Sequence, residues 1–168
     1  VEMLLGRREV RFDLAPTYQY LREKTVMVTG AGGSIGSHLC AEVLGAKPAT
    51  LVAVDYAEQG LYDLDQRFGR LHGTTKIDLA LANVTHRLRM ERLFSHHRPD
   101  VVFHAAAYKH VRYVEENPGD GVLNNVTGTK ITAELALAYE VEKFVLISSD
   151  KAVEPTSVMG ATKRLCEL

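Results

Sequence analysis

The sequence has no tryptophan, only two cysteines and five prolines among its 168 residues, and a formal net charge of -1. Each shortage removes a class of protein. Cys40 and Cys166 fall in separate segments of helical period, so neither a disulfide framework nor a cysteine metal pair is predicted, and a reducing cytoplasm is the expected setting. A charge balance this close to neutral gives no basic face for nucleic acid. No apolar run approaches the roughly 20 residues that a membrane helix needs, and the charged start Val1–Arg11 lacks the apolar heart of a secretory leader. The seven histidines suggest no metal site: His96 and His97 adjoin at a polar helix end, and His104 and His110 lack an acidic or cysteine partner at ligand spacing. What remains, 46% hydrophobic and 24% charged residues, is the composition of one folded domain.

Short apolar, β-branched runs alternate with longer stretches of helical period, the pattern of βαβ units around a parallel sheet. Strands are predicted at Thr25–Thr29, Thr50–Asp55, Ile77–Leu81, Val101–His104 and Phe144–Ser148. Most are apolar without alternation, so both faces of the sheet should be covered. Apolar residues at three and four spacing predict crossover helices over Ser34–Leu44, Gln59–Leu71, His86–His97 and Pro118–Tyr139. Asn117 can cap the last of these, Pro118 suits its first turn and Asp120 meets its dipole, while Gly119 and Gly121 weaken the start. The expected class is α/β: a Rossmann-type doubly wound parallel sheet over residues 25–168, with residues 1–24 as an amphipathic lead-in or linker. A final helix, Thr156–Leu168, has no capping glycine after it, so the chain reads as an excised piece, truncated before a substrate-binding portion.

Directly after the first predicted strand comes Thr29-Gly30-Ala31-Gly32-Gly33-Ser34-Ile35-Gly36, and a helical pattern follows at once. Gly30 allows the tight turn, Gly33 lets the backbone approach a pyrophosphate, and Gly36 lets helix and strand pack closely, with the helix N-terminus toward the anion. An acid, Asp55, ends the next strand at about the expected interval. It would accept hydrogen bonds from adenosine ribose hydroxyls and repel a 2′-phosphate, and no Lys or Arg between Asp55 and Gln66 offsets that repulsion. The expected cofactor is therefore NAD rather than NADP, with Gly32, Ser34 and Ile35 completing the turn.

The fifth predicted strand ends in Ile147-Ser148-Ser149-Asp150-Lys151, and Met159-Gly160-Ala161-Thr162-Lys163 follows soon after. In an open parallel sheet the crevice lies at the carboxyl ends of the strands, so these residues should face the nicotinamide end of a cofactor anchored at Gly33. With Thr29–Gly36, His104-Ala105-Ala106-Ala107-Tyr108-Lys109-His110-Val111, Glu115-Glu116-Asn117-Pro118, the run Ser149 through Arg164 and the lead-in Leu4-Leu5-Gly6-Arg7, the chain resembles the polysaccharide-biosynthesis group of extended short-chain dehydrogenases/reductases. That group includes UDP-N-acetylglucosamine 4,6-dehydratases.

The resemblance implies oxidation at C4 of a UDP-N-acetylhexosamine, loss of water across C5 and C6, and return of the hydride to C6. It aligns Met159 with the tyrosine of the usual Tyr-x-x-x-Lys and keeps Lys163. A thioether has no exchangeable proton, so deprotonation of the C4 hydroxyl falls to another group, and Asp150 is nearest in sequence. Lys151 would handle the C5 proton or the departing C6 hydroxyl, Ser149 would orient substrate, and Lys163 would hold the nicotinamide ribose. By the same resemblance Asn83, Val84, Ala105, Ala106 and Ala107 line the cofactor site, and Tyr108, Lys109 and His110 meet the substrate phosphate or ring, the alternative for those three being a solvated loop. Asn125 is assigned to the cofactor pocket, against a solvent-facing amide. The implied setting is a homo-oligomer and a cytoplasmic domain of a longer, inner-membrane-anchored protein.

Three positions depart from the group's pattern: Asn83 where Asp usually precedes Val, Glu154 where Asn is common, and Arg112 where Pro is usual, which should loosen the loop after His110. The rival readings are a UDP-sugar 4-epimerase, which returns hydride to C4 without elimination, and a dinucleotide-binding module without chemistry.

Overall fold

The computed structural model describes residues 13–168. The Leu4-Leu5-Gly6-Arg7 lead-in lies outside the described residues. Helix α1 (Ala15–Leu21) comes first, with Leu21 buried and the Tyr18 hydroxyl donating to Glu42 at 2.9 Å. The alternation that follows is the predicted one with an added edge strand, β3: β1 (Thr25–Thr29), α2 (Ser34–Gly45), β2 (Thr50–Asp55), α3 (Glu58–Phe68), β3 (Leu71–His72), β4 (Thr75–Leu81), α4 (Arg87–His97) and β5 (Val101–His104). Then come α5 (Val111–Glu116), α6 (Pro118–Gly121), a π-helical segment Val122–Thr127, α7 (Gly128–Ala138), β6 (Lys143–Leu146), a single 3₁₀ turn Asp150–Ala152, and α8 (Val158–Glu167).

The sheet runs β3-β4-β2-β1-β5-β6, parallel throughout except for β3. Its strands are apolar on successive residues because each face meets its own core. Val26, Val28, Leu51 and Ala53 pack against α2 and α3 through Cys40, Val43, Leu44, Leu61 and Leu64. Met27, Val52, Val54 and Val102 pack on the other face against Met90, Phe94, Ile131 and Leu135 of α4 and α7. The chain moves outward from β1 to β2 and β4, then returns to β5 on the opposite side of β1. That reversal opens a crevice at the carboxyl ends of β1 and β5, where ligands bind in such sheets.

Four local expectations need correction. The helix expected over Gln59–Leu71 stops at Phe68, because Gly69 takes φ 69° and ends it, and Leu71–His72 turns back as an antiparallel edge strand. The strand expected over Phe144–Ser148 ends at Leu146, the partner of His104 where β5 itself ends, which frees Ser148 from the ladder. The helix Pro118–Tyr139 is interrupted by the π segment. Finally, Arg112 does not loosen a loop: it sits in α5 and pairs with Glu116 one turn on, at 3.0 Å. Among the described residues no helix is long and apolar enough to cross a membrane, and no group of three or more His, Cys, Asp or Glu side chains is placed to hold a metal ion.

Candidate active site

The turn after β1 is built almost entirely from backbone. Gly30 has φ +68°, and a β-carbon there would come within 2.7 Å of the Ala106 backbone. A β-carbon on Gly36 would overlap the Gly30 carbonyl, so the first turn of α2 can lie this close only without a side chain. Asp55, at the end of β2, is 7% exposed and accepts from the Gly32 N–H at 2.8 Å through one oxygen and from the Ala57 N–H at 2.9 Å through the other. The carboxylate therefore braces the turn and still has lone pairs free toward the crevice.

A slot of about 220 Å3 lies over this turn. Gly30, Gly32, Gly33, Asp55, Val84, Ala105, Ala106 and Ala107 line it, as the sequence predicts, with Tyr56, Ala57, Ala82, Tyr108 and Asn124, which sequence reasoning did not assign to it. Tyr56 was signalled only by its place directly after the strand-end acid. Asn83 does not line the slot; its side-chain oxygen accepts from the Thr85 N–H at 2.9 Å and from the Thr85 hydroxyl at 2.8 Å. Ser34 begins α2 beside the slot, and the Lys109 ammonium reaches its hydroxyl at 3.3 Å. That contact ties the loop after β5 to the N-terminus of the turn's helix, where an anion is favoured.

A second cleft of about 270 Å3 lies over β5 and β6 and shares Ala105, Ala107 and Tyr108 with the first. Ile35, Lys109, Ser149, Lys151, Met159 and Lys163 line it. Lys163 is 5% exposed and donates to the Ile147 carbonyl at 2.7 Å; burial pulls its pKa below the usual lysine value. Met159, 2% exposed, fills the wall without offering a proton. Ser149 caps the 3₁₀ turn by accepting from the Lys151 N–H at 3.2 Å. Asp150, by contrast, does not line the cleft. Its side chain is 87% exposed and accepts from the Lys151 ammonium at 3.2 Å and the Ser149 hydroxyl at 3.0 Å, contacts that hold its carboxyl below the usual range.

Two buried polar residues hold the wall between the clefts. The Asn125 side chain, fully buried within the π segment, accepts from the Tyr108 N–H at 2.7 Å and donates to the Tyr108 carbonyl at 3.0 Å and the Thr162 hydroxyl at 2.9 Å. It faces neither cofactor slot nor solvent: it clamps the loop after β5 to α8. His104 joins the Thr29 hydroxyl at 2.7 Å to the Thr129 hydroxyl at 3.0 Å through its two ring nitrogens. Burial, with the nearby Lys163 charge adding to it, pushes His104 down to about 3, so the imidazole is neutral and structural. A single histidine without a partner in sequence gave no signal for this bridge. On the outer side, His110 meets the Tyr113 ring edge-on with centroids 6.1 Å apart.

Residues 26–168 match the family described as polysaccharide biosynthesis protein. The capsular polysaccharide biosynthesis protein CapD of Staphylococcus aureus is 43% identical over 170 residues, which is 100% of this chain and 28% of that protein. Among solved structures, Pen from Bacillus thuringiensis superposes with a TM-score of 0.81 at 32% identity, over 88% of this chain and 44% of its own. A UDP-glucose-4-epimerase from Stenotrophomonas maltophila, solved with NAD and formylated UDP-arabinopyranose, superposes with a TM-score of 0.75 at 28% identity, over 86% and 46%. The chain thus spans under a third of its capsular relative and under half of both solved neighbours. With a family match over nearly its whole length, the chain belongs to the polysaccharide biosynthesis protein family.

Proposed function

We propose that the chain is the NAD-binding part of a sugar-nucleotide 4,6-dehydratase that acts on a UDP-N-acetylhexosamine in polysaccharide or glycan biosynthesis. One observation carries the reading: the glycine turn braced by Asp55 and the cleft lined by Ser149, Lys151, Met159 and Lys163 share a wall, so a dinucleotide laid across the crevice has its reactive end against a proton-handling cluster. The residues fit NAD. Gly30, Gly32 and Gly33 line the slot, Asp55 offers free lone pairs for a ribose, and among the described residues no Lys or Arg lines it to offset repulsion of a 2′-phosphate. A solved neighbour holding NAD and a UDP-sugar supports the same choice. When bound there, NAD accepts a hydride from the sugar and returns it.

Lys163 binds the nicotinamide ribose and favours the electron-rich oxygen at C4 by its charge. Asp150 takes the C4 hydroxyl proton, which requires the 3₁₀ turn to swing its carboxylate inward from its solvent-facing position. Lys151, already on the cleft wall, gives an ammonium proton to the C6 hydroxyl, which leaves as water, and its freed amine takes the C5 proton; Ser149 orients the ring, and Met159 keeps water from the face where a tyrosine would otherwise exchange protons. Lys109 and His110 meet the substrate phosphates. The test is incubation of the enzyme with UDP-N-acetylglucosamine and NAD, followed by mass spectrometry. Loss of one water, abolished in Asp150→Asn, supports the dehydratase. Unchanged mass with inverted C4 means an epimerase, and no change rejects both.

A further inference from the structure

The helix that carries Met159 and Lys163 is held at its start by a long-range contact that the proposed reaction does not use. Glu115, on α5, accepts from the Val158 N–H at 2.6 Å, across 43 positions of sequence. That N–H is the first of α8, a group with no partner inside the helix itself, and a carboxylate is a strong acceptor for it. Ser157, the N-cap, accepts from the Gly160 N–H at 3.1 Å. The two caps differ in origin: Ser157 sets where the helix begins, and Glu115 sets where that beginning sits relative to α5.

This placement reaches both lysines of the cleft. Met159 and Lys163 belong to α8 and line the wall. Lys151 belongs to the 3₁₀ turn, and the turn rests on α8 at Gly160, where a β-carbon would overlap the Lys151 carbonyl. A shift in the first turn of α8 therefore moves the Lys151 backbone with it. The other end of the contact is firm, because Val114, next to Glu115, is 3% exposed, and a β-carbon on Gly121 would come within 2.6 Å of it. The loop before α5 is fastened separately, by Asn125 on Tyr108.

We propose that Glu115 is a positioning residue for the proton-handling cleft: it fixes the first turn of α8, and thereby holds Lys163 and, through Gly160, Lys151 at their places on the wall. The role rests on the dehydratase reading for what the lysines do, not for where Glu115 holds them. It acts by reach rather than by charge. Substrate binding is left to the separately fastened loop, so the effect falls on turnover.

The test compares three variants of the enzyme in two readouts. Glu115→Ala removes the acceptor, Glu115→Asp keeps the charge but is one methylene too short, and Glu115→Gln keeps the reach without the charge. In steady-state dehydration of UDP-N-acetylglucosamine, the Ala and Asp variants lose about ten-fold in kcat with KM unchanged, and Gln restores most of it. In the NAD-free enzyme, acetylation of Lys163 by acetic anhydride, read by peptide mass spectrometry, is several-fold faster in Ala and Asp and returns to the wild-type rate in Gln. A wild type that fails to dehydrate the sugar refutes the dehydratase reading, while the acetylation contrast still decides the role of Glu115. Lys163 acetylation unchanged in Glu115→Ala and Glu115→Asp, whatever the urea midpoint does, means a cap that only stabilises, and overturns the proposal. So does a Gln variant no better than Ala, or a loss that falls on KM alone.

Discussion

The two clefts that share the Ala105–Tyr108 wall are made of different material. At the glycine turn the geometry comes from backbone: Gly30 in the left-handed region, Gly36 against the Gly30 carbonyl, and the Gly32 N–H on Asp55. At the second cleft it comes from side chains on separate elements, Ser149 and Lys151 on a single 3₁₀ turn and Met159 and Lys163 on α8. Backbone geometry belongs to a local stretch of chain, so it is rigid and readable in one motif. Side-chain geometry depends on which elements meet, so it can be tuned, and here it buries Lys163 in the wall while leaving Asp150 facing solvent.

The largest expected effect breaks the backbone side of the comparison. Gly36→Val drives side-chain atoms into the Gly30 carbonyl and should abolish NAD binding in a calorimetric titration, with a stability loss of about 1–3 kcal/mol. Lys163→Met breaks the other side while conserving volume. It should leave the turn and most dinucleotide affinity intact but lower turnover about 10²–10³-fold in steady-state assays. Equal losses of binding in both variants would mean that the clefts are not separable.

Between the clefts, His104 gives a pH signature. Its folded pKa is depressed to about 3 against an ordinary value of 6.5. Above 6.5 both folded and unfolded states are neutral there, and the contribution is complete. As the pH falls from 6.5 toward 3 the unfolded chain takes a proton that the folded one refuses, so stability falls by up to about 1.4 kcal/mol per pH unit. Urea midpoints measured from pH 6.5 to 5 should show this slope in the wild type and a shallower one in His104→Gln. The smallest expected effect is at the clamp. Asn125→Ala leaves the part-buried Tyr108 N–H and carbonyl without their partner and should lower stability by about 1 kcal/mol, read from the same urea midpoints.

What was legible in the sequence follows the same division. The turn could be read because strand, glycine spacing, helix and Asp55 are local, and the alternation of apolar runs with helical period gave the sheet class. The second cleft was read as a set of residues but not as a geometry. That Asp150 faces solvent while Lys151 lines the wall depends on a one-turn 3₁₀ element that leaves no periodic signal. Asn125 acts on Tyr108 and Thr162, partners from other elements, and the π segment that turns it inward has no sequence signature. Helix α5 escaped because Val111–Glu116 is too short to show a period, and β3 because it has two residues.

The most direct test of the central claim uses UDP-N-acetylglucosamine carrying deuterium at C4, incubated with the enzyme and NAD. The account predicts a product lighter by one water with the deuterium retained and moved to C6. Deuterium remaining at C4 in a product of unchanged composition would contradict the dehydratase assignment.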